Sequence, residues 1–226
     1  GTRGGGINLI EPATGKIEHI RHNPESKNSL SGDDVRAITS DINGYIWIGT
    51  SRAGLNRFET RTSEFVHFYH DENNPNTLVQ NSVSELVADQ QGRIWIGTYD
   101  RGLSLFNPRT SNFTNFKRNG WQKRPLKNSN IQALHLDATG QLRLGTFGHG
   151  MGEIISLEEG VRHFTQSDDP QSMCGNRVWD IFQDRSGAIW IGTENVLCKT
   201  LHLSGMFKHI KHEASIQNTL ISNDVK

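Results

Sequence analysis

Apolar positions along this chain fall in short alternating runs broken by Gly, Asn and Asp, and none sustains the longer amphipathic run that a helix requires. The run Asn43-Gly44-Tyr45-Ile46-Trp47-Ile48-Gly49-Thr50 returns as Gln91-Gly92-Arg93-Ile94-Trp95-Ile96-Gly97-Thr98. It returns twice more, ending at Gly145-Thr146 and Gly192-Thr193. Gly49, Gly97, Gly145 and Gly192 are thus spaced by 48, 48 and 47 residues. Each period predicts four strands. The first carries apolar residues toward a terminal Asp, as in Val35 to Asp41, Val83 to Asp89, Ile131 to Asp137 and Val178 to Asp184. A Gly-containing hairpin turn follows. The second strand is the Ile-Trp-Ile-Gly-Thr run, with Ile46 and Ile48 on one face and Trp47 on the other. Because both faces are apolar, sheets must cover it on both sides. The third strand begins at Leu55, Leu103 or Met151 after Gly54, Gly102 or Gly150. The fourth is Phe65 to Tyr69 in one unit and Phe113 to Phe116 in the next.

Four short strands per period of about 48 residues, with Gly and an aromatic recurring once each, indicate propeller blades. A leucine-rich horseshoe has a shorter period and one strand per repeat. The expectation is an all-β chain, a β-propeller of four-stranded antiparallel blades, open or partial, with about four complete blades. The blades are expected at about 31–70, 79–117, 127–165 and 174–212, with a partial blade over 1–22 and the start of another at 221–226. Unpaired blade edges could then recruit another copy. Closure into a five-bladed ring is the alternative. Two units depart from the pattern: Arg143 stands at the Trp position, and the last unit loses a residue after Thr193.

The succession of Asp, Gly turn, Ile-Trp-Ile-Gly-Thr and Gly-Leu, joined by the linker Asn74-Pro75-Asn76-Thr77-Leu78, resembles the two-component regulator propeller repeat. That resemblance implies the sensor region of a membrane-anchored bacterial signalling protein. It places the chain in the periplasm, as input to a cytoplasmic histidine kinase or cyclic-dinucleotide synthase in the same full-length protein.

Composition narrows the partners. Lys plus Arg and Asp plus Glu are 24 each in 226 residues, so no single-sign field favours nucleic acid. No apolar run approaches the roughly 18 residues of a membrane-spanning helix. No nucleophile elbow, phosphate loop or zinc-protease helix is present, so neither an enzyme nor a cofactor is expected. His19, His67, His163 and His209 recur on the outermost strand, with Asn115 in the remaining unit; one residue per blade cannot converge on a metal. Asp41, Asp89, Asp137 and Asp184 are expected to bond turn backbone. Arg143 is expected to lay its stem on apolar surface and turn its head toward solvent or an acid. Cys174 and Cys198 are separated by one strand at about 4.8 Å per step, which predicts that they do not bridge.

Function is sought in the loops between second and third strands, on one face near the axis. These are Ser51-Arg52-Ala53, Tyr99-Asp100-Arg101, Phe147-Gly148-His149 and Glu194-Asn195. The candidate ligand-binding residues are Arg52, Tyr99, Asp100, Arg101 and His149, with Trp121 from the basic linker 117–127. Such charged and aromatic groups suit an oligosaccharide or another small polar ligand. The competing readings are a protein–protein platform and a polysaccharide lyase.

Overall fold

The computed structural model describes residues 1–116, 123–127, 129–200, 206–212, 219–220 and 222. They form two compact units, Gly1–Asn115 and Phe116–Lys226. In the first, a two-stranded ribbon of β1 (Ile7–Ile10) and β2 (Ile17–Ile20) precedes two four-stranded sheets. One sheet is β3 (Val35–Ser40), β4 (Ile46–Thr50), β5 (Leu55–Glu59) and β6 (Glu64–Phe68). The other is β7 (Val83–Ala88), β8 (Ile94–Thr98), β9 (Leu103–Asn107) and β10 (Asn112–Phe116). In the second unit, β11 (Ile131–Leu136), β12 (Leu142–Thr146), β13 (Met151–Ser156) and β14 (Gly160–Phe164) form one sheet. The last sheet is β15 (Val178–Gln183), β16 (Ile189–Thr193), β17 (Leu197–Thr200) and β18 (Lys208–Ile210). All four are up-and-down antiparallel sheets in sequence order, each a propeller blade.

The Ile-Trp-Ile-Gly-Thr strand is covered on both faces, as its pattern requires. In the first unit, Trp47 and Leu55 pack with Val83, Leu86, Ile96 and Phe106 of the next sheet. Ile48 turns the other way, toward Leu30 and Val35. The glycine of the motif permits the close approach of neighbouring sheets: a Cβ on Gly49 would meet Val83 Cγ1 at 2.4 Å, and one on Gly145 would meet Val178 Cγ1 at 2.5 Å.

The first-strand Asp does more than hold its turn. Asp41 Oδ1 accepts the backbone N–H of Asn43 and Tyr45, while its Oδ2 accepts Trp47 Nε1 at 2.8 Å. Asp184 repeats this with Ser186, Ala188 and Trp190. Arg143 takes the indole's role, donating to Asp137 Oδ2 at 2.9 Å, and its Nε lies 3.8 Å from Glu153. Its side chain is only 7% exposed, so of the two expected partners, solvent and an acid, it takes the acid. The paired acid makes burial of the guanidinium tolerable.

The outer-strand histidines fasten each blade to the linker that precedes it. His67, His163 and His209 donate Nε2–H to the carbonyls of Ser29, Pro125 and Ser172, at 2.8–2.9 Å. Asn115 donates to the carbonyls of Pro75 and Thr77. A second series went unrecognised in the sequence: His22 and His70 donate Nδ1–H to the carbonyls of Leu30 and Leu78 at 2.7 Å, and His212 bonds Leu220 likewise.

Cys174 and Cys198 are disulfide-bonded with Cα atoms 5.8 Å apart, contrary to the spacing argument. That argument placed one strand between the two cysteines. In the structure the segment before the first strand instead runs beside the third strand. Ser31 N–H there donates to Asn56 Oδ1, and Val79 N–H to Ser104 Oγ. Cys174 N–H likewise donates to Cys198 Sγ, and the disulfide adds a covalent link at the same place.

Candidate functional site

The loops between second and third strands are held by the motif's threonine. Thr50, Thr98 and Thr146 donate Oγ1–H to the carbonyls of Gly54, Gly102 and Gly150 at 2.8–2.9 Å. In the shortened loop Thr193 donates to Val196 at 2.7 Å. Four loops of different composition thus leave equivalent frames.

In the first unit, Arg52 is exposed at a depression of about 380 Å³ that it lines with Asp33, Asp34, Arg36 and Ser51. Arg36 pairs with Asp34 at 3.2 Å, and its guanidinium carbon lies 6.0 Å from the centre of the Tyr99 ring. Arg52 and Tyr99 are therefore linked through Arg36, a residue that the loop-based reading passed over. Arg101 is drawn elsewhere, to His70 Nε2 at 3.3 Å and Glu72 at 3.5 Å. Asp100 is exposed, its backbone N–H resting on Gln80 Oε1.

His149, also exposed, belongs to the second unit, where its N–H donates to Thr146 Oγ1. Trp121 lies outside the described residues. Beside His149, Arg177 stands 3.8 Å over the Phe147 ring and 5.3 Å from the Trp179 ring, the two rings meeting edge-on at 78°.

Arg36 and Trp179 share a cause. Every first strand carries a register shift near its start, between Val35 and Ala37, Val83 and Glu85, Ile131 and Ala133, and Val178 and Asp180. The unpaired residues are Arg36, Ser84, Gln132 and Trp179. A bulge re-aims the side chain of its extra residue. The second position of these strands varies from unit to unit, but the third, fifth and sixth vary as well, so variability alone does not mark the bulge in the sequence.

Electrostatics at the blade turns are set by hydrogen bonding. Burial works to raise the Asp137 carboxyl, but bonds from Thr139, Arg143 and the Gln141 backbone, with the Arg143 charge, outweigh it and hold the pKa at about 2. Bonds from Ser186 and Trp190 hold Asp184 at about 2 as well. Burial lowers His163, against the bond it makes to Pro125. Among the described residues no group of three or more His, Cys, Asp or Glu could hold a metal ion, and no helix is long and apolar enough to cross a membrane.

Segments 29–52, 77–100 and 172–195 match the model of the two component regulator propeller. No curated protein matches the chain. Among solved structures, the extracellular domain assigned to the hybrid two component system BT3049 of B. thetaiotaomicron is similar at 24% identity and TM-score 0.79, over 92% of this chain and 27% of that one. PorZ, a surface component of the type-IX secretion system of Porphyromonas gingivalis, is similar at 17% identity and TM-score 0.73, over 99% of this chain and 33% of that one. Virginiamycin B lyase of Staphylococcus aureus, an enzyme, is similar at 16% identity and TM-score 0.65, over 91% and 62%. This chain spans about a quarter to a third of the first two relatives' length. At these identities the likeness establishes the propeller fold.

Proposed function

We propose, from the match of three segments to the two component regulator propeller, that this chain is the ligand-sensing propeller segment of an extracytoplasmic signalling receptor. It takes a carbohydrate-like ligand and passes the signal to a kinase or cyclase elsewhere in the full-length protein. The observation that carries the reading is the grouping of Arg52, Asp33, Asp34 and Arg36 around one depression on a backbone held by threonine bonds, with the Tyr99 ring 6.0 Å from the Arg36 guanidinium carbon. Charged donors and acceptors beside an aromatic ring suit hydroxyl-rich ligands. The Cys174–Cys198 disulfide supports a location outside the cytoplasm, because such bonds persist in oxidising compartments. The reading is one of binding, although the fold is shared with virginiamycin B lyase.

Calorimetric titration with soluble oligosaccharides tests this. Binding is expected, with Arg52→Ala and Tyr99→Ala each weakening it about tenfold, the loss of one good polar or stacking contact. Binding that survives both substitutions moves the site off this depression. Binding only of a protein partner supports the platform reading instead.

A further inference from the structure

The second unit holds a cation whose charge is unused. Arg177 rests on Phe147, near Trp179, and has no ion pair with an acid among the described residues. Arg36 pairs with Asp34, Arg93 with Asp89 and Arg143 with Asp137, whereas Arg57, 4.5 Å over the Tyr45 ring, shares with Arg177 the lack of an ion pair among the described residues. The acid nearest to hand, Glu194, spends its Oε2 on the backbone N–H of Arg177 at 2.9 Å. Beside the guanidinium, the Trp179 indole N–H is buried and also lacks an acceptor.

The corner is built and not incidental. Trp179 is the extra residue of the β15 bulge, which turns it out of the ladder. A backbone bridge between Phe147 and Arg177 fixes the loop against the start of β15. The Phe147 ring covers one face of the guanidinium, so the in-plane N–H fork is what remains to be bonded, and that geometry matches a carboxylate. Phe147 is itself 39% exposed.

We propose that Arg177, Phe147 and Trp179 form a binding site for a carboxylate borne on a ring, the carboxylate on Arg177 and the ring against Phe147. The proposal rests on the reading that the loop face takes ligand, but it uses residues separate from those around Arg52, so the two can fail independently.

The test is titration of the 226-residue chain with D-glucuronate, D-glucose and sodium acetate, followed by calorimetry and by tryptophan emission. Glucuronate is expected to bind at least about tenfold more tightly than glucose, through the charge-assisted pair, and more tightly than acetate, through the ring. Arg177→Gln should weaken glucuronate about tenfold or more, and Arg177→Lys should recover only part, because a point charge lacks the fork. Trp179→Phe should remove the emission change while glucuronate still binds. Far-ultraviolet circular dichroism of each variant confirms that the sheets persist. Equal affinity for glucose and glucuronate, no glucuronate binding, or unchanged binding in Arg177→Gln overturns the proposal. Neutral oligosaccharide binding that remains sensitive to Arg52→Ala would leave the ligand-sensing reading standing in each case.

Discussion

At position 143 one substitution in the repeat has reorganised its neighbours. Across the sheet Trp47 faces Arg57 and Trp190 faces Lys199, with Lys199 Nζ 4.4 Å from the Trp190 ring centre, whereas Arg143 faces Glu153. The ring-with-cation pair has become a cation-with-acid pair in the same place. Arg143→Trp alone therefore leaves buried Glu153 with Arg162, 3.5 Å away and half exposed, as its remaining cation, and a loss of about 2 kcal/mol is expected. Adding Glu153→Leu, the pairing that Trp95 has with Leu105, should recover most of it. A double-mutant cycle by urea denaturation checks this; additive effects would show that the pair is not coupled. Asp137 gives a second expectation. Its folded pKa of about 2 lies below the ordinary 3.8, so the stability it confers is present above about pH 4 and lost as pH falls through 2. Urea midpoints between pH 5 and pH 2 should fall less steeply in Asp137→Asn than in the unsubstituted chain.

Strand and linker show how each blade is locked. The segment before the first strand runs beside the third, and outer-strand histidines bond it from the far side. In the last blade the Cys174–Cys198 disulfide closes a loop across a sequence separation of 24 residues. Replacing both cysteines with serine is expected to cost about 3 kcal/mol, from the added freedom of the unfolded chain. Hydrogen exchange should accelerate in β15–β18 and remain unchanged in β3–β6, since repeats contact only their neighbours. Exchange that rises equally throughout would contradict that locality. At the sheet-to-sheet contact, Gly49→Ala places a methyl 2.4 Å from Val83 Cγ1 and should cost about 1–3 kcal/mol, read as a lowered thermal midpoint.

For the molecule as a whole, its faces decide its behaviour in solution. The β1–β2 ribbon exposes Leu9, Ile10 and Ile17, each more than half accessible, and among the described residues its two strands pair only with each other. Apolar edges of this kind recruit further strands. Sedimentation velocity is expected to show concentration-dependent association, reduced when Ile10 and Ile17 are both replaced by lysine. A coefficient that does not change with concentration in the unsubstituted chain would exclude association through this ribbon.

The chain's own pattern was enough to determine the blades. Strand identity, the two-faced burial of Ile-Trp-Ile-Gly-Thr and the recurring turn Asp all follow from a period-two alternation repeated at fixed spacing, which is local information. What escaped was whatever depends on how segments distant in sequence pass one another. The path of the linker beside the third strand joined Cys174 to Cys198. The choice between solvent and acid at Arg143 was made by Asp137, which meets the guanidinium inside the blade. A one-residue bulge, invisible in alternation because it changes pairing and not composition, aimed Arg36 at Tyr99 and set Trp179 beside Arg177. Candidate loops could be named because they interrupt the repeat. Which of their side chains meet was decided by tertiary structure, since strand registers and side-chain pairings are settled only when the sheets pack.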